Sequence, residues 1–256
     1  MDKMLPGGSR LRELAETDST NTECLDAAMA GDPGRLWIRA RMQTEARGSR
    51  GRGWTSYEGN LFASYLLLPR APTGSLGQIT FVAALAVYDA LMQQIAAQGA
   101  ELKVELKWPN DVLLAGRKIC GILLESHEIS GERIVIVGIG LNCFSHPRQT
   151  AFPATSLMEH GINASAAEML SRIIPTMDHW LEIWRRGQDF QYIREAWTSR
   201  AKGIGKRIAA KLHDRETIGI FEAIDDAGRL TLRKNDGSKE LISVADVFYL
   251  NSAKTG

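Results

Sequence analysis

The sequence predicts an α+β fold: a mixed β-sheet with packed helices over residues 1–203, then a small all-β unit over residues 204–256. Three observations predict it. "LGQITFVAALAVYDALMQQIAAQG" (76–99) and "SAAEMLSRIIPTMDHWLEIWRRG" (165–187) are long and repeat apolar residues at helical spacing. Short apolar, β-branched runs of strand length stand before and between them. From about Gly205 the pattern changes to five short strands joined by "DDAG" and "NDG", which suits a small closed β-barrel.

The elements follow in chain order. "TDSTNTECLDAAMAG" reads as a cap and a short helix, with Thr20 and Glu23 at capping-box spacing and Gly31 as the stop. "RLWIRARMQ" and "NLFASYLLL" are strands on either side of an Arg/Gly loop. The helix over 76–99 places Ile79, Val82, Ala83, Ala86 and Ala90 on one face, and Gly99 ends it; its alanines predict close burial against a sheet. "VELKWPNDVLLAGRKICGILLES" reads as strand, kink, strand, tight turn and strand, with Pro109 at the kink and Ala115-Gly116 at the turn. "RIVIVGIGLNC" is a further buried strand. Ser165 and Glu168 form a capping box for the next helix, where Pro175 predicts a kink, and "FQYIREAWTSR" is another helix.

Apolar residues make up 44% of the 256 and charged residues 24%, enough for a sizeable core. A formal net charge of +1 excludes a whole-molecule field directed at nucleic acid, so anion binding has to be local. Cys24, Cys120 and Cys143 are odd in number, lack metal spacing and read as reduced thiols. No apolar run reaches the ~18 residues of a membrane helix, and the N-terminus carries no signal-peptide pattern. The expected compartment is the cytoplasm, without membrane attachment.

The densest positive charge falls on the most flexible stretch, "QTEARGSRGRGW" (43–54). Glycines let a backbone approach a ligand and present consecutive N–H groups. Arg47, Arg50 and Arg52 supply forked donors for phosphate or carboxylate, and Trp54 a stacking face. The stretch alone is read equally well as a solvated loop or a short nucleic-acid arm. "KWPNDVLLAGRK" is more specific: Lys107, Asn110 and Asp111 flank the proline kink, Asp111 is an oxygen ligand suited to Mg²⁺, and Lys107 with Lys118 can flank a phosphate. A polar turn with self-capping Asp and Asn is the plainer alternative. Asp18 to Asn21 bear four adjacent polar side chains and are by themselves better read as a helix cap. Asn142, at the end of "GIGLN", either reads a nucleotide ring or turns the chain. No histidine has a partner at metal-site spacing, and neither a Walker A nor a Rossmann fingerprint is present.

In order, "DSTN", "QTEARGSRGRGW", "GNLFAS", "LKWPNDVLLAGRKICGILLE", "GIGLN" and the terminal barrel resemble the biotin protein ligases over roughly residues 14–250. The resemblance implies a class II synthetase-like catalytic core and an SH3-like barrel. It further implies a ligase using ATP and Mg²⁺ that forms biotinyl-AMP, releases pyrophosphate and passes biotin to a lysine of a biotin carboxyl carrier protein. By similarity, Ser19, Thr20, Asn21 and Gln43 hold the biotin ring, and Gly121 also lies on the substrate side. Arg47, Gly48 and Ser49 lie over biotin and adenylate, and Lys118 sits beside the carboxylate and α-phosphate; Lys118 and Arg47 are the expected catalytic pair. Arg50, Lys107, Asn110, Asp111 and Asn142 fall on the nucleotide and metal side, with Asp111 the metal ligand and Trp54 the adenine-stacking ring.

Two features depart from the family pattern. Ser49 stands where another arginine is common, which predicts looser retention of the adenylate. Only about 15 residues precede "ETDSTN", too few for the N-terminal helix-turn-helix of repressor relatives, so no operator binding is expected. An exposed sheet edge leaves monomer and homodimer both open. A lipoate or octanoate ligase or transferase of the same fold is the nearest rival, and a nucleic-acid-binding module using the Arg/Gly loop a more distant one.

Overall fold

A computed structural model describes residues 2–250; residues 251–256 of the expected second unit lie outside the described residues. The first sheet has eight strands: β1 (Lys3–Met4), β2 (Arg10–Thr17), β3 (Leu36–Gln43), β4 (Leu61–Leu67), β5 (Val104–Lys107), β6 (Asp111–Leu114), β7 (Arg117–Ile129) and β8 (Glu132–Leu141). Their order is β1-β2-β3-β4-β8-β7-β6-β5, with β2 and β3 parallel and the remaining pairs antiparallel.

Alternation along β3 decides which helix covers which face. Leu36 and Ile38 point to α1 (Thr20–Met29), where Cys24, Ala27 and Ala28 complete a small cluster with Leu66, Ile134 and Ile136. Trp37 points to the opposite face and stacks on its cross-strand partner Tyr65, with ring centroids 4.5 Å apart. That face is covered by α2 (Ile79–Ala97) and α3 (Ala166–Trp184), with α4 (Phe190–Ser199) behind them. The alanines of α2 serve the expected purpose: Ala83, Ala84, Ala86 and Ala90 are all buried. The helical stretch Thr73–Ala97 is, contrary to the expectation from apolar runs, long and apolar enough to cross a membrane, but most of it is buried inside the protein core.

The Ser165–Glu168 capping box forms, with Glu168 N–H donating to Ser165 Oγ and Ser165 N–H to the Glu168 carboxylate. The box expected at Thr20 and Glu23 does not. Ser19 is the N-cap and makes no side-chain cap bond, and the hydroxyl of Thr20 is engaged with Gln43 and Ser64 in the site instead of capping. Helix α3 continues through Pro175, which faces outward, so the Ser171 carbonyl it leaves without a helical partner is on the solvent side. Next to it, the Thr176 hydroxyl faces the carbonyls of Arg172, Ile173 and Ala86. Ala115 and Gly116 both have positive φ, as a two-residue hairpin turn between β6 and β7 demands.

The second sheet contains β9 (Arg207–Lys211), β10 (Glu216–Ile224), β11 (Leu230–Arg233), β12 (Lys239–Ile242) and β13 (Asp246–Tyr249), all antiparallel, in the order β12-β11-β10-β9-β13. It has the five strands expected of the small all-β unit, and β12 and β13 are the two ends of its strand order among the described residues. The unit is seated on the first: Trp108 Nε1 donates to the Gly228 carbonyl at 3.0 Å, and the Cα of Gly228 comes so near Phe81 that an added Cβ would lie 2.8 Å from its ring. Beyond α4 the chain pairs with β5 through Leu106 N–H to Arg200 and Lys202 N–H to Leu106, covering part of that edge strand.

Candidate active site

On the α1 face of the first sheet a cavity of about 310 Å³ opens between the start of α1, the Arg/Gly loop, the glycines of β7 and β8, and β13 of the second sheet. Its floor depends on three glycines. A Cβ at Gly140 would lie 2.6 Å from the Trp54 ring and one at Gly121 2.8 Å from it; one at Gly138 would collide with the Asn21 amide. Gly121 and Gly140 are cross-strand partners, so the pair forms a flat seat for the Trp54 indole. Gly121, Trp54 and Asn21, each expected in the site from the sequence, are brought together by the register of β7 and β8.

One wall is a chain of closely spaced polar groups. Thr20 donates through its backbone N–H (2.8 Å) and its hydroxyl (3.0 Å) to Gln43 Oε1. The Thr20 and Ser64 hydroxyls are 2.7 Å apart, Ser64 donates to Asn21 Oδ1 at 2.5 Å, and Asn21 Nδ2 donates to Glu125 Oε2 at 2.8 Å. Arg47 closes the chain, donating to Glu125 through Nε (3.0 Å) and Nη2 (3.2 Å) and to the Thr22 hydroxyl through Nη1 (3.1 Å).

The opposite wall carries the lysines. Lys118 Nζ is 2.5 Å from Asp111 Oδ1 and Lys107 Nζ 3.6 Å from Asp111 Oδ2, so one carboxylate spaces two cations. Burial pushes the Lys107 ammonium below its ordinary value, and Asp111 opposes the shift. Its Nζ also lies 3.7 Å from the centre of the Phe152 ring, a cation–π contact. Phe152 belongs to the stretch between β8 and α3, which runs beside β7 through Lys118 N–H to Pro153 and Thr155 N–H to Lys118. Asn142, buried at the end of β8, donates from Nδ2 to the Thr155 carbonyl at 2.9 Å and so ties down the same stretch. Asn110 donates to the Ile122 carbonyl at 2.6 Å, holding the Pro109 kink against β7.

The Arg/Gly loop is less free than its composition suggests. Trp54 N–H bonds the Ala46 carbonyl and Gly48 N–H that of Arg52, making a narrow hairpin. Arg50 and Arg52 both reach Asp246 at the start of β13, at 2.9 and 3.2 Å. Arg50 is the exception among the expected site residues: it does not line the cavity, and its guanidinium is turned to Asp246. Ser19, Thr20, Asn21, Gln43, Arg47, Gly48, Ser49, Trp54, Lys107, Asn110, Asp111, Lys118, Gly121 and Asn142 all line it.

Sequence reading missed Glu125, Ser64, Phe152 and Asp246. Glu125 left a signal, as a charge ending the apolar run "GILLE"; the others left none. No group of three or more His, Cys, Asp or Glu side chains able to hold a metal occurs among the described residues. A lone Asp111 suits a Mg²⁺ carried in on phosphate oxygens rather than a resident ion.

Residues 14–142 match the "Biotin/lipoate A/B protein ligase family" and residues 203–250 the "Biotin protein ligase C terminal domain". A biotin--[acetyl-CoA-carboxylase] ligase of Paracoccus denitrificans is 41% identical over 92% of this chain and 99% of its own length. The chain belongs to the biotin protein ligase family. The ligase of the same name from Mycobacterium tuberculosis is 33% identical to this family member over 97% of the chain and 93% of its own length. The biotin protein ligase of Aquifex aeolicus in complex with biotin and ATP superposes with a TM-score of 0.78 at 26% identity, over 94% of this biotin protein ligase family chain and 99% of the other.

Proposed function

We propose that this chain is an ATP-dependent biotin protein ligase: it joins the biotin carboxylate to the α-phosphate of ATP with release of pyrophosphate, then transfers biotin to a lysine of a carrier protein with release of AMP. The observation that carries the residue assignment is that Lys118 and Arg47, from distant segments, line one cavity. The first step presses a carboxylate against a phosphate. At 4 Å two unit charges repel by about 4 kcal/mol at an effective dielectric near 20, roughly a thousandfold in rate. Lys118 offsets this repulsion, and it does so most where charge gathers on the reacting phosphorus. Mg²⁺ beside Asp111, when bound, neutralises phosphate oxygens.

The Thr20–Ser64–Asn21 chain supports a ring with N–H groups. Two hydroxyl protons serve three oxygen–oxygen contacts, because Thr20 N–H and Glu125 fix the amides of Gln43 and Asn21. A ligand N–H given to Gln43 Oε1 releases the Thr20 proton for Ser64, which suits biotin's ureido group at Ser19, Thr20, Asn21 and Gln43. Lys107, Asn110, Asn142 and Trp54 are assigned to the nucleotide side, with units over 1–203 and 204–256. Three buried, unpaired thiols support a reducing, cytoplasmic compartment. The Paracoccus relative, matched over 99% of its length, bears the name of a ligase alone, which supports a protein without operator binding.

Pyrophosphate–ATP exchange tests the reading. Exchange is expected with biotin and not with lipoate or octanoate; the reverse preference selects the rival. Calorimetry with biotin and then ATP-Mg²⁺ should show Lys118→Ala losing adenylate formation by about 10²–10³-fold with its unfolding midpoint nearly unchanged. A variant that adenylates normally removes Lys118 from the chemistry.

A further inference from the structure

Glu125 is a half-buried carboxylate at the end of an apolar stretch of β7, and it takes three hydrogen bonds from two site segments. An ionised carboxylate only accepts. Asn21 must therefore turn its NH₂ toward Glu125 and its carbonyl toward Ser64, which makes Ser64 the donor to Asn21. On the other side Glu125 holds Arg47 by Nε and one Nη2 hydrogen, while Thr22 takes one from Nη1. A guanidinium has five N–H groups; one on each terminal nitrogen stays unassigned, and this pair forms the end edge of a residue that lines the cavity. The same carboxylate thus sets the pose of the groups assigned to the biotin ring and of the arginine assigned to the reacting anions.

We infer, on the ligase reading above, that Glu125 is a positioning residue for biotin activation, acting through Arg47 on turnover and through Asn21 on biotin affinity. A neutral amide there both donates and accepts. Glu125→Gln can keep one partner oriented, but it presents N–H to N–H at the other. Glu125→Asp keeps the charge and shortens the reach.

The test combines biotin-dependent pyrophosphate–ATP exchange with calorimetric biotin binding. It uses Glu125→Gln, Glu125→Asp, Arg47→Ala and the double variant Glu125→Gln/Arg47→Ala, each checked for an intact unfolding transition. Glu125→Gln is expected to lower kcat at least tenfold, raise the biotin Kd about tenfold and leave the KM for ATP within threefold. Glu125→Asp should recover part of both. In the Arg47→Ala background the kcat effect of Glu125→Gln should vanish while the Kd effect persists, a pattern that general loosening of the fold does not produce. An unchanged kcat and Kd in Glu125→Gln, or equal kcat losses in both backgrounds, would overturn the role of Glu125 while leaving the ligase reading intact. If the unsubstituted protein neither binds biotin nor catalyses exchange, both fall together.

Discussion

At the scale of single residues the site is governed by which atom faces which. Ser49 is the sharpest case. It lines the cavity where another arginine would add a cation, and its carbonyl and hydroxyl instead accept from Arg52 Nε and Nη2, each at 3.3 Å. Ser49→Arg should slow dissociation of biotinyl-AMP by about tenfold, the equivalent of ~1.4 kcal/mol from one added charge-assisted contact. Adenylate release followed by filter binding checks this, and equal or slower release from the unsubstituted protein would refute it. Residues of this kind were legible in the sequence when chemistry and chain order coincided. "DSTN", "KWPND" and "GRK" announced polar side chains at element ends, where they turn into a cavity. Glu125 showed only as a charge ending an apolar run and Asp246 not at all, because their importance comes from partners 78 and 196 positions away. Trp54 was expected as a stacking ring, but that two glycines on neighbouring strands make its seat follows from register alone.

At the scale of elements, helix spacing gave the buried face of the helix over 76–99 and turn chemistry the Ala115-Gly116 hairpin, since each depends on neighbours within a turn or two. The partners of the Arg/Gly loop were hidden for the opposite reason: its arginines are held by Glu125 of β7 and Asp246 of β13. Asp246 anchors two of its arginines, both substantially exposed, and such pairs add only about 0–1 kcal/mol each. Asp246→Ala should therefore leave global unfolding almost unchanged and speed tryptic cleavage within residues 47–52 by roughly fivefold, the factor for ~1 kcal/mol. Cleavage at the wild-type rate would show that the loop is held elsewhere. In the second sheet, hydrogen bonds from Lys234 and Arg215 hold the Glu240 carboxyl at about 2, below its ordinary 4.5. The folded state thus binds this proton more weakly than the unfolded chain. The associated stability is complete above pH 4.5 and is lost as the pH falls toward 2. The difference in melting temperature between wild type and Glu240→Gln should shrink over that window; a constant difference would place the stabilisation elsewhere.

At the scale of the whole molecule, a formal charge of +1 conceals a sharply uneven distribution. Four cations, Arg47, Arg52, Lys107 and Lys118, line one cleft, and each is already held by a carboxylate of the protein: Glu125, Asp246 or Asp111. Dissolved chloride or phosphate has little left to neutralise there. An arriving polyanion exchanges partners with residues that cannot diffuse away, so few small ions are liberated, unlike the uptake of nucleic acid by an unpaired basic face. The KM for ATP should accordingly change less than about threefold between about 50 and 200 mM KCl, where release of six or more ions would cost ~10³. A steep dependence would mean that the medium, rather than the fold, supplies the counter-charges. Built this way, the cleft discriminates by geometry instead of by attraction, and it stays indifferent to the abundant small anions of any cell in which it works.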